Sequence, residues 1–237
     1  MSDRVLKIRE ELVRMADPAV KASGLRFFKE PVKLYGVKSD VVRRLAKQHF
    51  KEIQSLGKAA IFTLCEELWK SGFLEETGIA CEWSYALNSE YEASDFGSID
   101  RWVRRYVSNW AACDSLCNHT VGTFIERFPS YQDQLFLWAG AESRWVRRAS
   151  AVSLIVPARK GLFTETIFAI ADRLRMDVDP MVQKGYGWML KASSEYDPDR
   201  VYGYVMQHRD TMPRTALRYA IEKLPDEKRR VAMTRSG

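Results

Sequence analysis

Apolar residues recur along this chain at intervals of three and four, the signature of amphipathic helices. Val5, Ile8, Leu12 and Met15 open it at that spacing, behind Ser2, which can cap a helix. Asp17-Pro18 starts a second helix, predicted to carry Leu25, Phe27 and Phe28 and to stop near Pro31. Tyr35 to Asp40 reads as a turn with an N-cap at Ser39, followed by a helix from Val41 to about Phe50. Ser55-Leu56-Gly57 breaks the chain. Helices then follow over Ala59–Lys70, closed by Ser71-Gly72, and over Glu75–Leu87. Over Phe96–Val107, Trp102, Val103, Tyr106 and Val107 fall on one side, and Arg101, Arg104 and Arg105 on the other. The stretch Ser108–Ser115 begins a helix expected to run through Val121, Phe124 and Ile125 to Phe128-Pro129.

Beyond it, helices are predicted over Tyr131–Ala139, from Ser143 to about Val156 with a stop at Pro157, and over Phe163–Leu174. Asp179-Pro180, Asp197-Pro198 and Pro213 open three more, and a charged tail is expected from Pro225. No Asn-Gly or Asp-Gly turn joins two alternating runs, so strands are not supported. Trp69, Trp110, Trp145 and Trp188 recur about forty residues apart, in the range of two-helix HEAT or armadillo units. The predicted architecture is therefore all-α: an α-solenoid of HEAT-like helical repeats with one concave wall, forming a single domain over residues 1–237.

Composition narrows the function. The 237 residues are 46% hydrophobic, enough for a substantial core, and carry 37 Lys and Arg against 31 acids, a net charge of +6. That balance fits a polyanionic partner better than an acidic one, or simply a slightly basic surface. The four cysteines (Cys65, Cys81, Cys113, Cys117) have neither disulfide-framework nor zinc spacing, and Cys113, Cys117 and His119 lack an obvious fourth ligand, so no metal is expected. The charged start, Met-Ser-Asp-Arg-Val, has no apolar signal core, and no apolar run approaches a membrane span. A cytoplasmic, monomeric chain with reduced thiols, no cofactor and no membrane contact is expected.

Three clusters carry candidate chemistry. Trp110 and Asp114 stand at i and i+4, on one helical face. An indole face attracts positive charge, and a carboxylate stabilises it directly, so the pair suits a cationic reacting centre. The competing reading is a core tryptophan beside a capping or ion-paired acid. Trp145 and Arg148 share a face at i and i+3, and an arginine set among Ala149, Ala151 and Val152 needs a carboxylate or a phosphate partner. A buried pair with an acid such as Asp114 would also satisfy it. The third cluster is Gln183-Lys184 with Gly187-Trp188.

Four segments resemble the AlkD-type DNA alkylation-repair glycosylases, which are built from HEAT-like repeats: Phe27–Leu45, Asn109–Pro129, Trp138–Ala151 and Gln183–Leu190. The Trp-x-x-x-Asp, Trp-x-x-Arg-x-x-Ala and Gly-Trp elements are specific in combination. The resemblance implies that Asp114 is the catalytic carboxylate, that Trp110 and Trp188 are aromatic walls against the lesion nucleotide, and that Arg148 holds the DNA backbone beside it. Phe27 stands where the family commonly has Tyr, so a ring remains and a hydroxyl is lost. Pro157, and Val156 in place of a Lys, alter the basic lining after Arg148, and Arg159 and Lys160 are candidates to compensate.

The implied substrate explains the residue set. A purine alkylated at N3 or N7 is cationic and already a good leaving group, so a carboxylate near C1′ and aromatic faces suffice to stabilise an oxocarbenium-like sugar. The expectation is excision of 7-methylguanine and 3-methyladenine from double-stranded DNA in base excision repair, without base flipping into a deep pocket. Phosphate contacts are assigned to Arg43, Arg44, Lys47, Arg147, Arg148, Arg159, Lys160 and Lys184, with Phe27 beside them. Two alternatives stand: a non-catalytic helical-repeat module binding damaged or branched DNA, and a protein-interaction scaffold with no DNA role.

Overall fold

The three-and-four spacing forms helices over most of residues 2–234, the part of the chain that this structure, a computed structural model, describes. Among those residues no strand forms, and a single bridge pairs Lys33 with Phe73. Backbone contacts divide the chain after Leu116 into two compact units.

The first unit contains α1 (Asp3–Arg14), α2 (Pro18–Leu25), α3 (Ser39–Ile53), α4 (Lys58–Ser71), α5 (Leu74–Ala86), α6 (Phe96–Arg105) and α7 (Trp110–Leu116). Here α1, α4 and α6 pack in series as one layer, and α3, α5 and α7 as another. Helix α5 lies between α3, α4 and α7, so it is buried on nearly all sides, and its small residues Ala80, Cys81 and Ser84 admit its neighbours. Its first turn buries two carboxylates. Glu75 accepts the backbone N–H groups of Tyr35 (3.1 Å), Gly36 (2.8 Å) and Val37 (3.1 Å). Glu76 accepts from Arg9 Nη2 at 2.9 Å and Tyr35 Oη at 2.7 Å. These bonds satisfy both charges beside the positive end of the helix. They also tether the non-helical run between α2 and α3.

The second unit begins with a π-helical turn (Cys117–Val121) and continues with α8 (Gly122–Arg127), α9 (Gln132–Ala139), α10 (Arg144–Val152), α11 (Ile155–Arg159), α12 (Thr164–Leu174), α13 (Pro180–Ser193), α14 (Pro198–His208), α15 (Arg214–Ala220) and α16 (Asp226–Met233). Helix pairs α9/α10, α12/α13 and α14/α15 stack so that α10, α13 and α15 adjoin in series. Both units thus repeat one device: a helix pair that buries its apolar faces against the next pair. In the first unit Arg43, Arg44 and Lys47 lie on α3 and Trp110 and Asp114 on α7, with Phe27 just beyond α2; in the second, Arg147 and Arg148 lie on α10, Lys184 and Trp188 on α13, and Arg159 and Lys160 at the end of α11.

Four helix starts fall where the sequence places them. Ser2, Asp17, Asp179 and Asp197 each accept a backbone N–H of the first turn. Several expectations are corrected. Met15 is an exposed C-cap, and Ser39 is the first residue of α3 rather than its cap. α2 ends at Leu25, and Phe27 and Phe28 leave the helix because their contacts lie with Trp110. Pro157 does not end a helix: α10 stops at Val152, and Pro157 is the third residue of α11, where a missing N–H costs nothing. The residues after Pro225 form α16, with Asp226 and Glu227 favouring its positive end. Of the four recurring tryptophans, Trp69 is core on α4, in the other layer.

Candidate active site

Helix α7 is started by Asn109. Its side-chain Oδ1 accepts the N–H of Ala112 at 2.9 Å and its carbonyl that of Cys113 at 3.1 Å. Trp110 is therefore the first helical residue, with Asp114 one turn on and on the same face. Both are half-buried, whereas Ala112, Cys113 and Leu116 are fully buried. The indole is fixed at two points. Trp110 Nε1 donates to the carbonyl of Phe27 at 3.3 Å, and the Phe28 ring stacks on it at 5.3 Å with an 18° interplanar angle. The ring of Phe27 itself is 71% exposed. The structure thus brings Trp110, Asp114 and the Phe27 backbone together, and adds Phe28, which the sequence reading placed on a helix and gave no role. Adjacent phenylalanines ahead of a proline were the available signal, but only the fold shows which one faces Trp110.

In the second unit, Arg148 projects from α10 and is 4% exposed. Its Nη1 donates to the carbonyl of Met181 in the first turn of α13, at 2.5 Å, and its stem passes Gly185, which offers no side chain there. Trp188 stands half-buried on α13, with Lys184 one turn before it on the same face. Gly187 is required by packing. A Cβ there would lie 2.8 Å from the Ala216 carbonyl oxygen and 2.7 Å from Tyr219 Cβ, so α13 and α15 meet at this point. The Gly-Trp element combines a backbone contact with a half-exposed indole held beside it.

The remaining candidate cations are dispersed. Arg147 is committed: Nε reaches Asp177 Oδ2 at 2.6 Å, and Nη1 reaches the carbonyls of Ala141 and Glu142 at 3.0 and 2.6 Å. It tethers the turn before α13. Arg43 pairs with Glu82, Arg44 with Asp40, Arg159 with Glu195 and Lys160 with Glu126, at 2.7–3.5 Å. Such surface pairs are weak and can be exchanged for a phosphate. Lys47 and Lys184 have no ion-pair partner among the described residues. Trp145 is buried under the Arg144 guanidinium, 4.6 Å from its ring centroid, and serves the core. Cys113 and Cys117 are buried free thiols, and no group of three or more His, Cys, Asp or Glu is placed to hold a metal ion among the described residues.

Comparison with known proteins agrees with this architecture. The family model described as DNA alkylation repair enzyme matches residues 8–224. No curated protein matches. A solved structure, a "Predicted DNA alkylation repair enzyme from Enterococcus faecalis", aligns with a TM-score of 0.80 at 17% identity, over 90% of this chain and 98% of that one. The shared feature at that identity is the all-α, helical-repeat fold.

Proposed function

The chain belongs to the DNA alkylation repair enzyme family, and from that premise we propose that it is a DNA glycosylase hydrolysing the N-glycosidic bond of cationic alkylated purines, such as 7-methylguanine and 3-methyladenine, in duplex DNA. The observation that carries the reading is Trp110 and Asp114 on one half-buried face of α7, with the indole held rigidly from behind.

The chemistry asks little else of the protein. The alkylated base departs as a neutral molecule, so no acid is needed to protonate it. As the C1′–N bond lengthens, positive charge moves to the sugar. Asp114 stabilises that charge and orients the attacking water, which gives a proton to solvent or to the carboxylate. The indole face of Trp110 holds the sugar and adds cation–π stabilisation of about 0.5–2 kcal/mol, and Trp188, on the second unit, keeps the role of aromatic wall that the resemblance implies. Arg148 is assigned to the phosphate beside the lesion, a contact that requires this 4% exposed guanidinium to exchange an internal hydrogen bond such as that to Met181, and Lys184, one turn from Trp188, to a neighbouring one. Arg147 keeps a smaller part in this scheme because its donors are already used within the protein.

The test is release of free 7-methylguanine or 3-methyladenine from methylated duplex. Asp114→Asn should lower single-turnover release by about 10²–10³-fold while DNA binding persists. A wild-type protein that binds duplex DNA yet releases no methylated purine would leave the non-catalytic binding module as the correct reading.

A further inference from the structure

Residues 26–29, Arg-Phe-Phe-Lys, follow the end of α2 and have two dissimilar faces. On the inner face, the half-buried Phe28 ring lies parallel to the Trp110 indole, and the Phe27 carbonyl receives its N–H. The first contact sets the plane of the indole, and the second sets its edge. On the outer face, the Phe27 ring is 71% exposed and is flanked by Arg26 and Lys29, both exposed.

Neither flanking cation has an ion-pair partner among the described residues, a state they share with Lys47, whereas Arg43 and Arg44 on α3 are paired with Glu82 and Asp40. The acid that follows, Glu30, is half-buried and already engaged. The segment is built in advance of any ligand. Upstream it continues turn hydrogen bonds from α2, and downstream Lys33 accepts the Leu74 N–H at 3.0 Å while Glu75 holds the backbone of Tyr35, Gly36 and Val37. An exposed ring between two unpaired cations, on an anchored backbone, matches the sugar–phosphate edge of a nucleic-acid strand.

We propose that residues 26–29 form a two-faced strap: Phe28 is a positioning residue that orients Trp110 from the inner face, and Arg26 and Lys29 grip phosphates of a duplex strand from the outer face, with the Phe27 ring against a deoxyribose. The strap links the hold on DNA to the geometry of the aromatic wall. This inference rests on Trp110 being a wall of the excision site, and its tests separate from that reading.

Three measurements decide it. For unmodified duplex, the double variant Arg26→Gln/Lys29→Gln should make the slope of log K against log salt shallower by about 1.8, or about 0.9 per lost contact. An unchanged slope overturns the outer face. Phe28→Leu should lower single-turnover excision about tenfold with duplex affinity held within twofold, and Phe28→Tyr, which keeps the ring, should restore it. Wild-type excision by Phe28→Leu overturns the inner face. Independently of activity, Phe28→Leu should change the near-ultraviolet circular dichroism of the wild type but not of a Trp110→Phe background. Equal changes in both overturn the stacking role. If the wild type excises nothing, the glycosylase reading fails, while the dichroism cycle and the salt slope still decide the strap.

Discussion

An indole and a carboxylate one turn apart stabilise a cation only if both are held still, because each contact is small and a misplaced ring loses it. Glycines decide part of that stillness, and the packing predicts opposite outcomes for one substitution at two helical sites. Gly187→Ala would drive a Cβ into the Ala216 carbonyl and Tyr219. Overpacking of this kind costs about 1–3 kcal/mol. In a chain of this size each kcal/mol lowers Tm by about 2–4 °C. The adjacent Trp188 should move with it, so excision should fall further than stability explains. Gly203 on α14 faces open space, and Gly203→Ala should raise stability by about 0.5–1 kcal/mol. Calorimetry of the two variants checks the pair, and a Gly187→Ala protein melting with the wild type would contradict the close approach. At this scale the sequence was informative about residue type. Trp110, Asp114, Arg148 and Trp188 stood out by chemistry and spacing, whereas Phe28 and Asn109 act through partners that only the folded chain brings near.

Among helices, buried charge constrains which elements can pack together. Glu66 on α4 is the clearest case outside the candidate site. It accepts from Trp102 Nε1 on α6 at 2.6 Å and from Tyr106 Oη at 2.7 Å, and pairs with Arg101 at 3.3 Å. Burial works against its ionisation, but those hydrogen bonds and the guanidinium outweigh it, so the carboxyl titrates below its ordinary value. The group is ionised more readily folded than unfolded. Its stabilisation is therefore complete above the unfolded pKa of about 4.3 and is lost as pH falls through the lower, folded value. Glu66→Gln should cost about 1–3 kcal/mol at pH 7. Urea midpoints of the two proteins should converge toward pH 3. A gap that persists unchanged at pH 3 would show that charge is not what joins α4 to α6. Element starts at Asp-Pro pairs were legible because capping is local. The end of α10 at Val152 and the helix after Pro225 were not, because packing partners decide where those helices stop and start.

For the whole molecule, a net charge of +6 is small beside 37 cations, and many of those are matched to acids. Binding to undamaged duplex should therefore be moderate in its salt response, with log K against log salt sloping between about −2 and −5. A flat slope would remove DNA as the partner and favour a protein-interaction scaffold. A slope as expected, with no release of methylated purine, would instead favour a non-catalytic DNA-binding module.

By itself, the sequence determined the all-α class and most helix starts, because helical periodicity and capping are properties of neighbouring residues. It also pointed to the family, because the ordered Trp, Asp, Arg and Gly-Trp elements carry the resemblance and the family model matches residues 8–224. Tertiary structure alone decided which cations are already matched, as Arg147 is by Asp177, and which tryptophans are core, as Trp69 and Trp145 are. It alone placed Phe28 on Trp110, 82 residues away in the chain, since a contact at that separation leaves no periodic trace in either segment.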